Sequence, residues 1–406
     1  MKIVFVNRFY APDHSATSQM LTDLAVALAA GGTDVQVVAS RQRYDDAAAS
    51  LAPHEVLDGV DVHRVRTSSF GRGNLVGRAL DYASFYVAAG VKLFVLVRAG
   101  DIVVAKTDPP LMAVIAGWVA RRRGARLVNW LQDLFPEVAA NLGMAPALGP
   151  GGSLLRWLRD RSLRRAAANV VLGRSMRDCV AVRGVDPGKI KVIPNWADGA
   201  LLRPVDRRGN PLRAEWGLGD RFVVGYSGNL GRVHEFGTML DAAEAVRSQA
   251  DVVFLVIGGG AQKAAVAKAA RERGLSNILF KPYQLRDALG PSLSAADVHL
   301  VTLRPELEGL VVPSKFYGVA AVGRPTIFIG DPAGELGSIV REAQCGMCVR
   351  QGDGEGLAGA ITMLRDDSAL RERMGANARR VFAERYDKAI AVAAWRSLLA
   401  SVAAVG

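Results

Sequence analysis

Cysteine is nearly absent, with three residues in 406, so a disulfide framework of the kind that holds small secreted domains together is excluded. Cys345 and Cys348 make a C-x-x-C, but no second pair or histidine cluster stands near them to complete a zinc site. A redox motif would open the chain's first helix, whereas this one follows Gln344 late in the sequence. Histidine is scarce and dispersed, at positions 14, 54, 63, 234 and 299, and the second half has no Asp-x-Asp at a strand end. Both absences argue against a metal centre. Aromatic residues are 7% of the chain, and the basic stretch Arg64, Arg66, Arg72, Arg78 contains only Phe70 among them, which leaves no stacking platform for nucleic acid. Long apolar runs are also missing. Tyr82–Ala99 comes nearest, but Lys92 and Arg98 break it and Asp81 and Asp101 flank it, short of the ~20 apolar residues a spanning helix needs. A buried or interfacial helix is expected there.

What is present points to a large α/β protein. Half the residues are hydrophobic, 43 are glycine and 22% are charged, a profile that suits many tight strand-to-helix turns. The length fits two domains. Apolar strands recur at Ile3–Asn7, Val35–Ala39, Val60–Val65, Ile102–Ala105, Leu127–Leu131, Val170–Leu172 and Ile190–Ile193, with helical periodicity between them. The stretch Gly199–Leu212 has no period and reads as a linker. Alternation then restarts with Phe222–Tyr226, Val252–Ile257, Ile278–Phe280, Val298–Leu303 and Thr326–Ile329. Two doubly wound, Rossmann-like domains are predicted, 1–198 and 199–386, facing a cleft at the carboxyl ends of their strands. Lys2-Ile3-Val4-Phe5-Val6 runs straight into the first strand, so no signal peptide is expected and the chain is assigned to the cytoplasm.

Charge is uneven. The net charge of +12 divides into +8 for residues 1–198 (25 basic, 17 acidic) and +4 for the rest (26 basic, 22 acidic). No carboxylate lies between 62 and 80, where Arg64, Arg66, Arg72 and Arg78 fall. Such an excess favours an anionic partner, and with the apolar segment after it suggests peripheral attachment to an anionic membrane face.

Four constellations carry candidate chemistry. Ser227-Gly228-Asn229-Leu230-Gly231-Arg232 follows a strand and precedes a helix; its glycines let backbone amides approach a diphosphate, and Arg232 adds a bidentate donor. Glu308-Gly309-Leu310 leads to Pro313-Ser314-Lys315, a helix start with an ammonium beside it. A carboxylate next to an anion cradle matches a sugar nucleotide, with Glu308 accepting from sugar hydroxyls. Asp133, in Gln132-Asp133-Leu134-Phe135-Pro136-Glu137 at a strand end, is placed to take or orient an acceptor proton. His14, Ser15, Ala16 and Thr17 line the loop after the first strand, where Ser15 and Thr17 are also candidate helix caps. Tyr283 joins the candidate nucleotide contacts. With no metal expected, Arg232, Lys315 and helix N-termini would neutralise the leaving diphosphate.

Those motifs, with Phe9-Tyr10-Ala11-Pro12, Val192-Ile193-Pro194-Asn195 and Gly323-Arg324-Pro325, resemble the retaining glycosyltransferases of the GT-B fold, family four. The likeness spans the chain and is nearest to bacterial enzymes of exopolysaccharide, colanic acid and O-antigen synthesis. It implies metal-independent transfer of a hexosyl group from a nucleotide-diphosphate sugar, UDP in preference to GDP, with retention. Arg232 would be the diphosphate arginine, Glu308 the glutamate on the donor sugar, and Gly309 and Leu310 would offer backbone amides. Asp133 would sit near the acceptor, expected to be a polyprenyl-diphosphate-linked saccharide. The last helix, about 387–406, would cross back onto the N-terminal domain. The family's second glutamate is missing, because Phe316 or Gly318 stands at its place, and so is the lysine shortly after the diphosphate arginine, where His234-Glu235 follows. Two other readings compete: a sugar-nucleotide 2-epimerase on the same fold, and a non-catalytic scaffold bound to anionic membrane. No nucleic-acid partner is expected.

Overall fold

The computed structural model describes residues 2–44, 46, 49–70, 75–144 and 149–404. Arg72 lies outside them. The chain divides into two compact units, Met1–Pro194 with Ala391–Gly406, and Asn195–Ile390. The division lies at 194/195, four residues before the predicted one.

Unit 1 opens with β1 (Lys2–Val6), α1 (Ala16–Ala30), β2 (Asp34–Ser40), β3 (His54–Leu57) and β4 (Val60–Val65). It continues through α2 (Leu75–Leu96), β5 (Ile102–Lys106), α3 (Met112–Arg123), β6 (Arg126–Trp130), α4 (Glu137–Asn141) and α5 (Gly149–Arg165). After β7 (Ala168–Val171), α6 (Arg174–Ala181) and β8 (Ile190–Val192) complete it. The strand order is β3-β4-β2-β1-β5-β6-β7-β8. All pairings are parallel except β3 with β4. The inner strands are buried on both faces, as in β5, where all five residues are buried, which is why they read as continuous apolar runs rather than alternating ones.

Unit 2 contains α7 (Pro211–Glu215), β9 (Phe222–Ser227), α8 (Gly237–Ala245), β10 (Val252–Ile257), α9 (Lys263–Glu272) and β11 (Ile278–Lys281). There follow α10 (Leu289–Ser294), β12 (Val298–Thr302), α11 (Lys315–Ala321), β13 (Thr326–Ile329), α12 (Glu335–Glu342) and β14 (Gly346–Val349). Helices α13 (Gly354–Asp366) and α14 (Ser368–Arg385) cover the sheet, and α15 (Lys388–Ala404) begins here and ends in unit 1. The parallel order β11-β10-β9-β12-β13-β14 reverses direction between β9 and β12, the switch point where such sheets bind ligands.

Three differences from the sequence reading have clear causes. Strand β3 (His-Glu-Val-Leu) was hidden because its only partner is β4 and half its surface is wet. Strand β14 is an edge of four residues without a strong pattern. The presumed linker is packed rather than free: Val205 donates to Ser294 Oγ, Arg207 pairs with Asp297 at 3.1 Å, and Asn210 caps α7. The C-x-x-C is structural, with both thiols free and burial pushing the Cys345 thiol up to about 12.

Candidate active site

In unit 2 the glycine loop after β9 is held from below by a second one. Gly228 N–H donates to Ile257 O at 2.9 Å and Leu230 N–H to Gly259 O at 2.7 Å. The backbones touch so closely that a Cβ on Gly258 would stand 2.1 Å from Gly228 O, and Gly258 has φ +136°. Only glycine meets both demands. Gly258-Gly259-Gly260 directly follows a six-residue apolar strand, a signal that could have been read from sequence. Gln262 Nε2 braces the first loop by donating to Gly231 O and His234 O, and the exposed Tyr283 ring lies against Gly259. Asn229 is exposed in the loop, its carbonyl accepting from Tyr226 Oη at 2.9 Å.

The loops after β9 and β12 meet at Lys315. A Cβ on Gly228 would lie 2.9 Å from Lys315 Cε, so the absence of a side chain there admits the lysine. Lys315 Nζ is 2.7 Å from His234 Nε2 and 5.3 Å from the Tyr226 ring centroid. His234 Nδ1 faces Thr302 O at 2.6 Å, and since a carbonyl only accepts, that nitrogen carries the proton and Nε2 accepts from Lys315. Burial, followed by the Lys315 charge, pushes His234 down to about 3. Burial pushes Lys315 down to about 7. His234 was missed as a site residue because its partners are 68 and 81 positions away. Arg232 is exposed and makes no ion pair among the described residues, which leaves its guanidinium for an anion.

Two expectations need correction. Gly309 and Leu310 do not present free amides: Leu310 N–H donates to Leu307 O at 3.0 Å, and the Gly309 amide bonds to the Glu308 carboxyl. The positive end of α8 is likewise occupied, because Glu235 accepts from Thr238 N–H and Oγ1. Glu308 is partly committed too. Its Oε1 accepts from Glu335 N–H at 2.7 Å, the first turn of α12, while burial raises its pKa. Glu308 is thereby held in one orientation by the backbone. Ser314 caps α11 without a side-chain bond and is exposed. Phe316 is buried among Tyr317 and Tyr386, so no ribose ligand replaces the missing glutamate at that position.

In unit 1, Asp133 stands past the carboxyl end of β6. It lines a cavity of about 30 Å³ with Lys106, Thr107 and Asn129, room for one or two waters. Burial, with the Asp108 charge adding and a Thr107 hydrogen bond opposing, pushes Asp133 up to about 6. Its Oδ1 has no hydrogen-bond partner among the described residues. Lys106, which the sequence reading passed over, is buried; it donates to Thr17 O at 3.0 Å, lies 3.7 Å from the Trp130 ring centroid, and is pushed down by burial to about 7. Glu137 is structural, held by Arg159 at 2.7 Å and Arg183 at 3.1 Å. The capping role considered for Ser15 is not used: it is the N-cap residue of α1, yet its hydroxyl makes no cap bond and has no partner among the described residues. His14 and Ala16 are exposed beside it.

The histidines are less dispersed than their numbering suggests. Antiparallel β3–β4 pairing sets His54 against His63 with ring centroids 4.8 Å apart, and Asp61 contacts both. Their ligating atoms lie within 4.8 Å of one another, the one such group among the described residues. His299 is a core residue bonded to Leu293 O. Among the described residues no histidine contacts Glu308, so the proton-abstracting cluster that a 2-epimerase would need is not seen there.

Comparison with known proteins agrees with this architecture. Residues 15–196 match the family described as "Glycosyl transferase 4-like domain" and residues 210–381 that described as "Glycosyl transferases group 1". A putative colanic acid biosynthesis glycosyl transferase of Escherichia coli (strain K12), WcaI, is 32% identical over 226 residues, 54% of this chain and 55% of that protein. The chain thus spans about half the length of that relative. A probable glycosyltransferase of Pseudomonas aeruginosa, WbjE, is 29% identical over 300 residues, 73% of this chain and 74% of that one. Among solved structures, Anabaena HepE in complex with UDP-glucose superposes with a TM-score of 0.74 over 99% of this chain and 100% of the other, at 17% identity. With two glycosyltransferase family domains in order over two Rossmann-like sheets, the chain belongs to the glycosyltransferases of the GT-B fold.

Proposed function

We propose that this protein transfers a hexosyl group from a nucleoside-diphosphate sugar, UDP in preference to GDP, with retention at the anomeric carbon and without a required metal. The observation that carries the reading is the packing of Lys315 against the Gly228 loop at the β9/β12 switch point, with Arg232, unpaired among the described residues, on that same loop. Lys315, held in the interior of the loops, and Arg232, at their exposed edge, offset charge on the departing diphosphate. The bond from the anomeric carbon to the diphosphate oxygen breaks, a bond to the acceptor oxygen forms, and the acceptor proton passes to Asp133 or to the leaving phosphate. Glu308, fixed by the Glu335 and Gly309 amides, still has carboxylate lone pairs for a donor-sugar hydroxyl. The preference for uridine is supported by the UDP-glucose bound to HepE.

The acceptor in this reading is a polyprenyl-diphosphate-linked saccharide of cell-surface polysaccharide synthesis, a role supported by the colanic acid relative. The site of action is the cytoplasmic face of an anionic inner membrane. Helix α2 supports attachment. By length and composition alone it could cross a bilayer, but Phe85, Ala89 and Leu93 fix one face in the core of unit 1. Val76, Leu80, Val87, Val91 and Val95 form an exposed stripe on another face, the pattern of a helix lying in the interface. The basic run contributes less than expected, because Arg64 is buried against Glu55 and Ala11 O.

A thermal-unfolding panel of UDP, GDP and ADP tests the donor reading, since a ligand at a hundredfold excess over its Kd adds roughly 2.7 kcal/mol to stability. UDP is expected to give the largest rise in Tm. A larger rise with GDP would reassign the base, and no rise with any of the three would end the reading.

A further inference from the structure

At the opposite end of the unit 1 strands from Asp133, the amino ends of β6, β7 and β8 open onto a cavity of about 670 Å³. Six cations line it: Arg121 from α3, Arg126 at the start of β6, Arg161 and Arg165 from α5, and Lys189 and Lys191 beside β8. No carboxylate lines it, and none of the six makes an ion pair among the described residues. Burial and then the charges of Arg165, Arg161 and Arg122 push the Arg121 guanidinium down, the mark of like charges gathered without a counterion. Helix ends account for part of the gathering: Arg126 donates to Ala403 O of α15 at 3.0 Å and Lys189 to Arg164 O of α5 at 3.4 Å, while Arg121, Arg161, Arg165 and Lys191 make no such bond among the described residues. The C-termini of α3, α5 and α15 supply about half a negative charge each, against six full positive ones.

The remaining walls are apolar, including Val114, Leu158, Leu398 and Val402. At the rim, Trp118 and Trp157 are each about half exposed and each lies under an arginine, Arg122 at 5.4 Å and Arg161 at 5.3 Å. Trp118 also stacks on Phe94 of α2, centroids 6.0 Å apart, so the exposed stripe of α2 continues to the cavity mouth. Tryptophan beside arginine at the edge of an apolar face is the composition of a membrane interface. A free inorganic anion would use the charge and leave the apolar walls and tryptophans idle; an amphiphile uses all three.

We propose that this cavity is a binding site for the phosphate headgroup of an anionic membrane lipid, separate from the sugar-transfer residues, with Trp118, Trp157 and the α2 stripe entering the headgroup–acyl boundary around it. The assignment rests on the membrane attachment proposed above and gives that attachment a specific anchor. Flotation of the full chain with vesicles of phosphatidylcholine alone, and of phosphatidylcholine mixed with phosphatidylglycerol, tests it. The wild-type protein should partition more strongly onto the phosphatidylglycerol vesicles. Each basic residue near such a surface changes partitioning about fivefold, so R121Q/R165Q should weaken that partitioning roughly 25-fold while leaving partitioning onto phosphatidylcholine nearly unchanged. Should that variant not fold, R161Q/K191Q, at two exposed positions, reads the same quantity. Wild-type-like flotation of a folded pocket variant would overturn the headgroup site and leave membrane attachment standing. Flotation of the wild-type protein with neither vesicle would remove both. A rise in Tm with soluble glycerol phosphate that depends on Arg121 and Arg165, without preference for phosphatidylglycerol vesicles, would overturn the lipid as the source of the phosphate.

Discussion

Around Lys315 the candidate groups of unit 2 hold one another, whereas two candidate atoms of unit 1, Asp133 Oδ1 and Ser15 Oγ, are left without partners among the described residues. Around Lys315 every neighbour is spoken for: His234 accepts from it, Thr302 fixes His234, and two glycine loops interlock beneath. In unit 1, Asp133 Oδ1 and Ser15 Oγ are buried with no hydrogen bond among the described residues. A buried polar atom without a partner costs about 1–3 kcal/mol, a cost a fold keeps where a ligand relieves it. The difference teaches that the Lys315 site is organised without a ligand, while unit 1, in its proposed acceptor role, keeps two polar atoms open.

The most severe way to break this comparison is to remove a cation from the organised half. R232A and K315A should each lower kcat by 10²–10³, about 3–4 kcal/mol, as for loss of one preorganised donor. Steady-state kinetics of both within twofold of wild type would show that the diphosphate is held elsewhere. Next in size is D133N, expected to lower kcat/KM about a hundredfold. Here pH sharpens the test. If Asp133 takes a proton, kcat/KM rises as pH climbs through about 6 and the carboxylate forms; Lys315 must stay charged, so kcat/KM falls as pH passes about 7. D133N should erase the acid limb alone, and a wild-type profile with no acid limb would dismiss Asp133 as the base. The smallest effect is expected from H234A, about tenfold and mainly in KM for the donor, because His234 aims Lys315 without touching substrate. Its separate signature is a shift of the alkaline limb. An unmoved limb with an unchanged KM would leave His234 a core residue only.

Much of this was legible along the chain. The parallel strands announced themselves because burial on both faces requires unbroken apolar runs, as in Val252–Ile257. The Gly228 loop and Pro313-Ser314-Lys315 were readable as well, since a glycine beyond a strand and a helix start are local features. Edge strands were legible in part: Ile190–Ile193 and Ile278–Phe280 could be read, but β3, with no buried residue, and β14, with one, carry too weak a pattern. The fates of Gly309, Leu310 and Glu235 were equally hidden, because whether an amide or carboxylate is free depends on which group folds against it.

The sequence by itself determined the two α/β halves, most of their strands along the chain and the residue types proposed for diphosphate chemistry, because period, turn residues and helix starts act over a few positions. Tertiary structure alone decided that His234 would reach Lys315, that Glu308 would dock on α12, and that cations from α3, α5 and the starts of β6 and β8 would share one cavity. Those outcomes depend on sheet order and crossover, which bring residues distant in the chain within hydrogen-bond or Coulomb range.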